Sequence, residues 1–148
     1  FKYWHDIRAD EYRTARAEAD AKKRKELYES FSAVAEKYLS LQKAGKGVFV
    51  AVLAKSPAEL IAEGEALHHC VGGMGYDQKF IREETLIFFI RNAENPNVPL
   101  VTVEYSLKTK KVLQCYADHN QKPCQEIEDF VHKKWLPHAN RALKKLAA

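Results

Sequence analysis

Between Thr85 and Tyr116, three segments of strand length follow one another with only short turns between them. Thr85 to Arg91 is a continuous apolar run closed by a charge, the pattern of a well-buried strand. Pro99 to Ser106 alternates Val101, Val103 and Tyr105 against Thr102 and Glu104. Lys110 to Tyr116 sets Val112, Gln114 and Tyr116 against Lys111, Leu113 and Cys115. A period of two sends alternate residues to opposite sheet faces. The turns at Asn95-Pro96-Asn97 and Leu107-Lys108-Thr109 are too short for a crossover, so neighbouring strands must run antiparallel. Glu104 is the odd residue of the middle strand. It pairs with Arg91 across the sheet or reaches Gln114 on the next strand, according to register.

Upstream, Val48 to Leu53 is a short apolar, partly β-branched run and reads as a fourth strand. Residues 1–45 read as helix. The segment Arg16 to Glu26 is almost wholly Ala, Lys, Arg, Glu and Asp, strong helix formers with acids interspersed among the bases. From Leu27 the apolar residues Leu27, Phe31, Val34, Tyr38 and Leu41 fall at 4-3-4-3 spacing and make one stripe, expected to pack on the chain's own domain. Tyr3, Trp4 and Ile7 are expected to dock on something, and Gly45 to end the helix. Ser56-Pro57-Ala58-Glu59 is a helix start, with a capping hydroxyl, a proline at the first position and a reciprocating glutamate. That helix should reach about Leu67, with Leu60, Ile61, Gly64 and Leu67 on one face and Gly64 allowing a close backbone approach. A last helix begins near Cys124 with Ile127, Phe130, Val131 and Trp135 inward, and ends or kinks at Pro137.

The expected fold is therefore α+β: a three- to four-stranded, mostly antiparallel sheet packed by helices, with a long N-terminal helix. The capped helix and the Trp135 helix are both expected on one face. The division is an N-terminal helical extension, 1–45, and an α+β domain, 46–148. The chain has 148 residues, 46% of them hydrophobic, enough for one core. The formal charge of +4 permits an anionic partner without demanding one. Three cysteines without a framework spacing read as reduced thiols in the cytoplasm. The longest apolar run, Leu86 to Ile90, is too short to span a membrane, and no signal peptide is visible. Because the first residue is Phe1, a missing upstream domain is expected.

The chemistry concentrates in Glu63 to Tyr76, where His68, His69 and Cys70 run into Gly72, Gly73 and Gly75. Cys70 is a candidate nucleophile with His68 or His69 as base and Asn120 or Glu104 orienting the ring. It lies at a helix C-terminus, whose partial negative charge does not ready a thiol. Cys115, His119 and Cys124 with His69 or Cys70 are metal-ligand types at a spacing unlike a zinc knuckle, so no metal and no cofactor is assigned. The glycine loop follows a helix, whereas phosphate loops precede one, and it lacks the partnering lysine. Lys133, Lys134, Arg141, Lys144 and Lys145, beside Trp135, are a candidate nucleic-acid surface or ordinary dipole compensation.

Glu63-Gly64, Leu67 to Gly72, Tyr76, Arg91, Pro99, Thr102-Val103-Glu104, Gln114, Asn120, Pro123 and Trp135 together resemble the PcfJ-like family of conjugative plasmids and other mobile elements, over roughly Val48 to Trp135. Where that family has one glycine after Cys-Val, this chain has Gly72, Gly73 and Gly75. The resemblance implies an accessory protein that binds DNA or a relaxosome-like DNA-processing complex. It nominates His69, Cys70, Tyr76, Arg91, Glu104, Gln114 and Asn120 as pocket residues, with His68 beside them. The alternative is an enzyme with Cys70 as nucleophile or Glu104 as acid/base.

Overall fold

The computed structural model describes residues 2–44 and 47–148, with side chains from residue 14 onward. The expected contacts of Tyr3, Trp4 and Ile7 lie outside the described side chains, and the helix expected over residues 1–45 already ends at Lys37, with Lys43 bridged to Ala51 beyond it. Four strands, β1 (Phe49–Leu53), β2 (Thr85–Asn92), β3 (Val101–Ser106) and β4 (Val112–Tyr116), pair in chain order as an antiparallel meander. Short turns set the β2–β3 and β3–β4 pairings, whereas β1 and β2 pair across residues 54–84, which carry two helices.

The register decides which residues share a face. Ile87 stands opposite Glu104, Phe89 opposite Thr102, and Glu104 opposite Gln114. These groups, with Arg91, therefore occupy one face; Leu86, Phe88, Ile90, Val101, Val103 and Tyr105 occupy the other. Between the Glu104–Gln114 and Tyr105–Val112 pairs the register slips, with Leu113 as the extra residue. This bulge moves Val112 to the face opposite Gln114, so the strict alternation expected for the last strand breaks at that point.

Helices cover both faces. One face receives Trp135, whose ring centroid lies 4.7 Å from Phe88 and 5.6 Å from Tyr105. Its indole N–H donates to the Leu41 carbonyl at 3.0 Å. Burying an aromatic of this size contributes about 3 kcal/mol. Trp135 belongs to a continuous helical run: α4 (Gln125–Asp129), a π-helical stretch Phe130–Trp135, and α5 (Leu136–Ala147). The helix therefore does not end at Pro137, because the wide turn ahead of it shifts the hydrogen-bond ladder and makes room for the ring.

The opposite face receives α2 (Pro57–Leu67), followed by the short α3 (Tyr76–Ile81). The expectation that α2 and the Trp135 helix share a face is thus corrected. β2 is apolar on both sides, and only a helix on each side keeps it dry. Helix α1 (Lys2–Lys37) and the 3-10 turn Leu39–Leu41 close the end of the domain. Phe31 stacks on Phe80 of α3 with centroids 3.8 Å apart. Phe31, Val34, Tyr38 and Leu41 are buried in the same core as the sheet, as their stripe requires. No helix among the described residues is long and apolar enough to cross a membrane.

Candidate functional site

Helix α2 is set at both ends by its own sequence. Ser56 Oγ accepts the Glu59 backbone N–H at 3.3 Å, and Glu59 Oε2 accepts the Ser56 N–H at 3.1 Å. At the far end His68 takes a left-handed conformation, φ 54°, and the His69 N–H returns to the Gly64 carbonyl at 3.1 Å. The chain then folds back over the helix. A Cβ on Gly64 would stand 2.9 Å from the His69 carbonyl oxygen, and one on Gly72 would stand 2.7 Å from Ile61 Cα. Both glycines are therefore close-approach positions, and Gly75, at φ 76°, supplies the turn into α3. The loop is packed, not a cradle for phosphate.

This fold-back delivers His69 and Cys70 to the polar face of the sheet. A cavity of about 350 Å³ forms there, bounded by His69, Cys70 and Val71 on one side and Tyr76 of α3 on another. Ile87, Thr102, Glu104, Gln114 and Tyr116 make its floor, and Asn120 closes it. His69 Nε2 lies 2.9 Å from Thr102 Oγ1, while Nδ1 accepts the Val71 N–H at 3.4 Å. With Nδ1 an acceptor, Nε2 carries the proton and donates to the threonine. Burial lowers the His69 pKa, which keeps the ring neutral. Both of its nitrogens are thus engaged away from Cys70. His68 turns to Asp118, with Nδ1 2.8 Å from Oδ1. The orienting partners are Thr102 and Asp118, where Asn120 or Glu104 was expected.

Glu104 is 4% exposed, and it takes the second of its two expected partners. Its Oε1 accepts from Gln114 Nε2 at 2.8 Å; the same amide nitrogen donates to the Tyr76 hydroxyl at 2.9 Å. That leaves the Tyr76 O–H free to donate. The other carboxylate oxygen, Oε2, is buried with no hydrogen-bond partner among the described residues. An unsatisfied buried acceptor costs about 1–3 kcal/mol, which a donor reaching it would recover.

Arg91 does not reach Glu104 or the cavity. Its Nη1 and Nη2 donate to Glu63 Oε1 and Oε2 at 2.6 and 2.5 Å, both residues buried. This pair ties α2 to β2. Glu63, not the expected Ile61, shares the buried face of α2 with Leu60, Gly64 and Leu67, and Ile61 is exposed; Thr102 shares a sheet face with Glu104 by period two. The four-ligand set of Cys115, His119 and Cys124 with His69 or Cys70 is not assembled. Cys115 lies beside Val103 on the Trp135 side of the sheet, where burial pushes its thiol pKa up to about 12.

Lys134, Arg141, Lys144 and Lys145 are exposed, and Lys133 is paired with Asp129 at 3.3 Å. These bases belong to the helix on the Trp135 face, so the sheet separates them from the cavity.

A family model for PcfJ-like proteins matches residues 1–131. A Listeria innocua protein described as uncharacterized protein Lin1253/Lin1744 is 33% identical over 78 residues, 53% of this chain. That segment is 17% of the Listeria protein, so the chain spans a small part of its relative. No solved structure matches the chain. With the family model running from the first helix past the cavity and into the Trp135 helix, the chain belongs to the PcfJ-like family.

Proposed function

We propose that the cavity over β3 and β4 binds an unpaired nucleobase, and that the chain is an accessory, DNA-contacting component of a mobile element's DNA-processing complex in the cytoplasm. The observation that carries this reading is the buried Glu104 carboxylate with one oxygen fixed by Gln114 and the other unpartnered. Such an oxygen calls for an N–H or O–H donor from a ligand. The Tyr76 hydroxyl, already accepting from Gln114, offers a donor close by, and the Asn120 amide offers both kinds of group. An acceptor beside a donor complements an amino group next to an unprotonated ring nitrogen, as on the edge of cytosine or adenine or on the amino–N3 edge of guanine. Val71, Ile87 and Tyr116 supply apolar and aromatic surface for a flat ring. A volume of about 350 Å³ suits a ligand of that size.

The basic residues of the Trp135 helix lie across the sheet from the cavity, so they would meet a phosphate backbone independently of the base. Four exposed cations support modest, salt-sensitive binding. The second reading, an enzyme with Glu104 as acid/base, rests on the same unpartnered oxygen. Titrating the isotope-labelled protein with cytidine, guanosine and a short single-stranded oligonucleotide tests the proposal. Saturable shifts at the Thr102, Glu104 and Gln114 amides support it. Shifts confined to the Trp135 helix would leave DNA contact but remove the base pocket, and conversion of the ligand would favour the enzyme.

A further inference from the structure

Beside the cavity, among the described residues, three side chains able to hold a cation converge from two distant segments: His68 from the end of α2, and Asp118 with His119 from the turn after β4. The imidazoles stack with centroids 4.4 Å apart and planes within 16°. Each presents Nδ1 to the same carboxylate, His68 to Oδ1 at 2.8 Å and His119 to Oδ2 at 2.9 Å. Their ligand atoms all lie within 4.8 Å of one another. In a tetrahedral shell with bonds near 2.1 Å, ligand atoms stand about 3.4 Å apart. All three side chains are exposed, so rotations on the order of 1 Å, unopposed by packing, would close that gap.

We propose that His68, Asp118 and His119 form a site for a borderline divalent transition ion of the zinc class. Two imidazole nitrogens and one carboxylate oxygen match the ligand preference of such ions and disfavour magnesium or calcium, which take oxygen shells. Three protein ligands leave a coordination position for water or a ligand atom. The neighbours His69, Cys70 and Asn120 line the cavity, so the ion stands at its rim. The inference does not depend on which ligand the cavity takes.

Equilibrium dialysis of the whole chain against Zn2+, with Co2+ absorption as a spectroscopic readout, tests it. One ion per chain is expected, with affinity reduced about tenfold or more in His119→Ala and in Asp118→Asn. Cys70→Ser should bind as the parent does, and the Co2+ spectrum should lack a thiolate charge-transfer band. Because the three ligands are exposed, circular dichroism of the variants should match the parent and separate ligand loss from unfolding. A parent that binds no better than His119→Ala and Asp118→Asn overturns the site, and so does binding lost in Cys70→Ser.

Discussion

Arg91 and Glu63 form a buried two-point ion pair, with Nη1–Oε1 at 2.6 Å and Nη2–Oε2 at 2.5 Å, between the second strand and the capped helix. Removing one partner of such a pair leaves an uncompensated buried charge and costs about 3–5 kcal/mol. Glu63→Ala should therefore lower the urea midpoint sharply. The double variant Glu63→Leu/Arg91→Met should recover much of the loss. An additive double variant would contradict the pairing.

The glycine loop separates two kinds of glycine. Gly72→Ala forces a methyl against Ile61 Cα, 2.7 Å away, and should cost about 1–3 kcal/mol by chemical denaturation. Gly73→Ala meets its nearest atom at 3.9 Å and should be close to neutral. Equal losses at the two positions would refute the close approach.

Thiol accessibility should divide the cysteines. Cys70 and Cys124 are exposed, whereas Cys115 is half-buried with its pKa pushed up to about 12 by burial first and by Glu128 second. A thiol reagent at pH 8 should label Cys70 and Cys124 quickly and Cys115 only on unfolding, since the thiolate is the reactive form. Labelling Cys70, at the cavity mouth, should also block nucleobase binding. Peptide mapping by mass spectrometry reads the first result and the titration reads the second.

Glu83 gives a pH dependence with a definite sign. Lys37 Nζ and the Tyr38 hydroxyl both donate to its Oε1, at 2.8 and 2.6 Å, and hold its carboxyl below the usual value, the lysine bond first. A depressed folded pKa stabilises above the unfolded value and loses that stability as pH falls through the folded one. Glu83→Gln should thus be slightly less stable than the parent at pH 7, by roughly 1 kcal/mol or less for a partly exposed group. The difference should vanish below about pH 4. A gap that widened on acidification would contradict this sign.

Much of this architecture was legible residue by residue. The meander follows from Val101, Val103 and Tyr105 alternating with Thr102 and Glu104 between short turns, and the capped helix from Ser56, Pro57 and Glu59. Of the Leu27-Phe31-Val34-Tyr38-Leu41 stripe, all but Leu27 are buried in the core, and Tyr38 and Leu41 pack from beyond the helix end at Lys37. What stayed hidden depends on relations between distant segments. Period two shows that Glu104 and Val103 face opposite ways, but not which helix covers each side. The bulge at Leu113 has no local marker, and the partner of Arg91 depends on where α2 lands. For the same reason the sequence points to His69, Cys70, Tyr76, Glu104, Gln114 and Asn120 of the cavity lining but not to Thr102, and not to the bonds His69–Thr102 and His68–Asp118.

The most direct measurement pairs stability with ligand binding in Glu104→Gln. The substitution replaces an unpartnered buried carboxylate oxygen with a neutral amide of the same shape. Its melting temperature should equal or exceed the parent's, because a buried charge is relieved. Its affinity for cytidine, guanosine or a single-stranded oligonucleotide, followed at the Thr102 and Gln114 amides, should fall about tenfold or more, the cost of losing one charge-assisted hydrogen bond. Nucleobase binding that is absent in the parent, or unchanged in Glu104→Gln, would contradict the central claim.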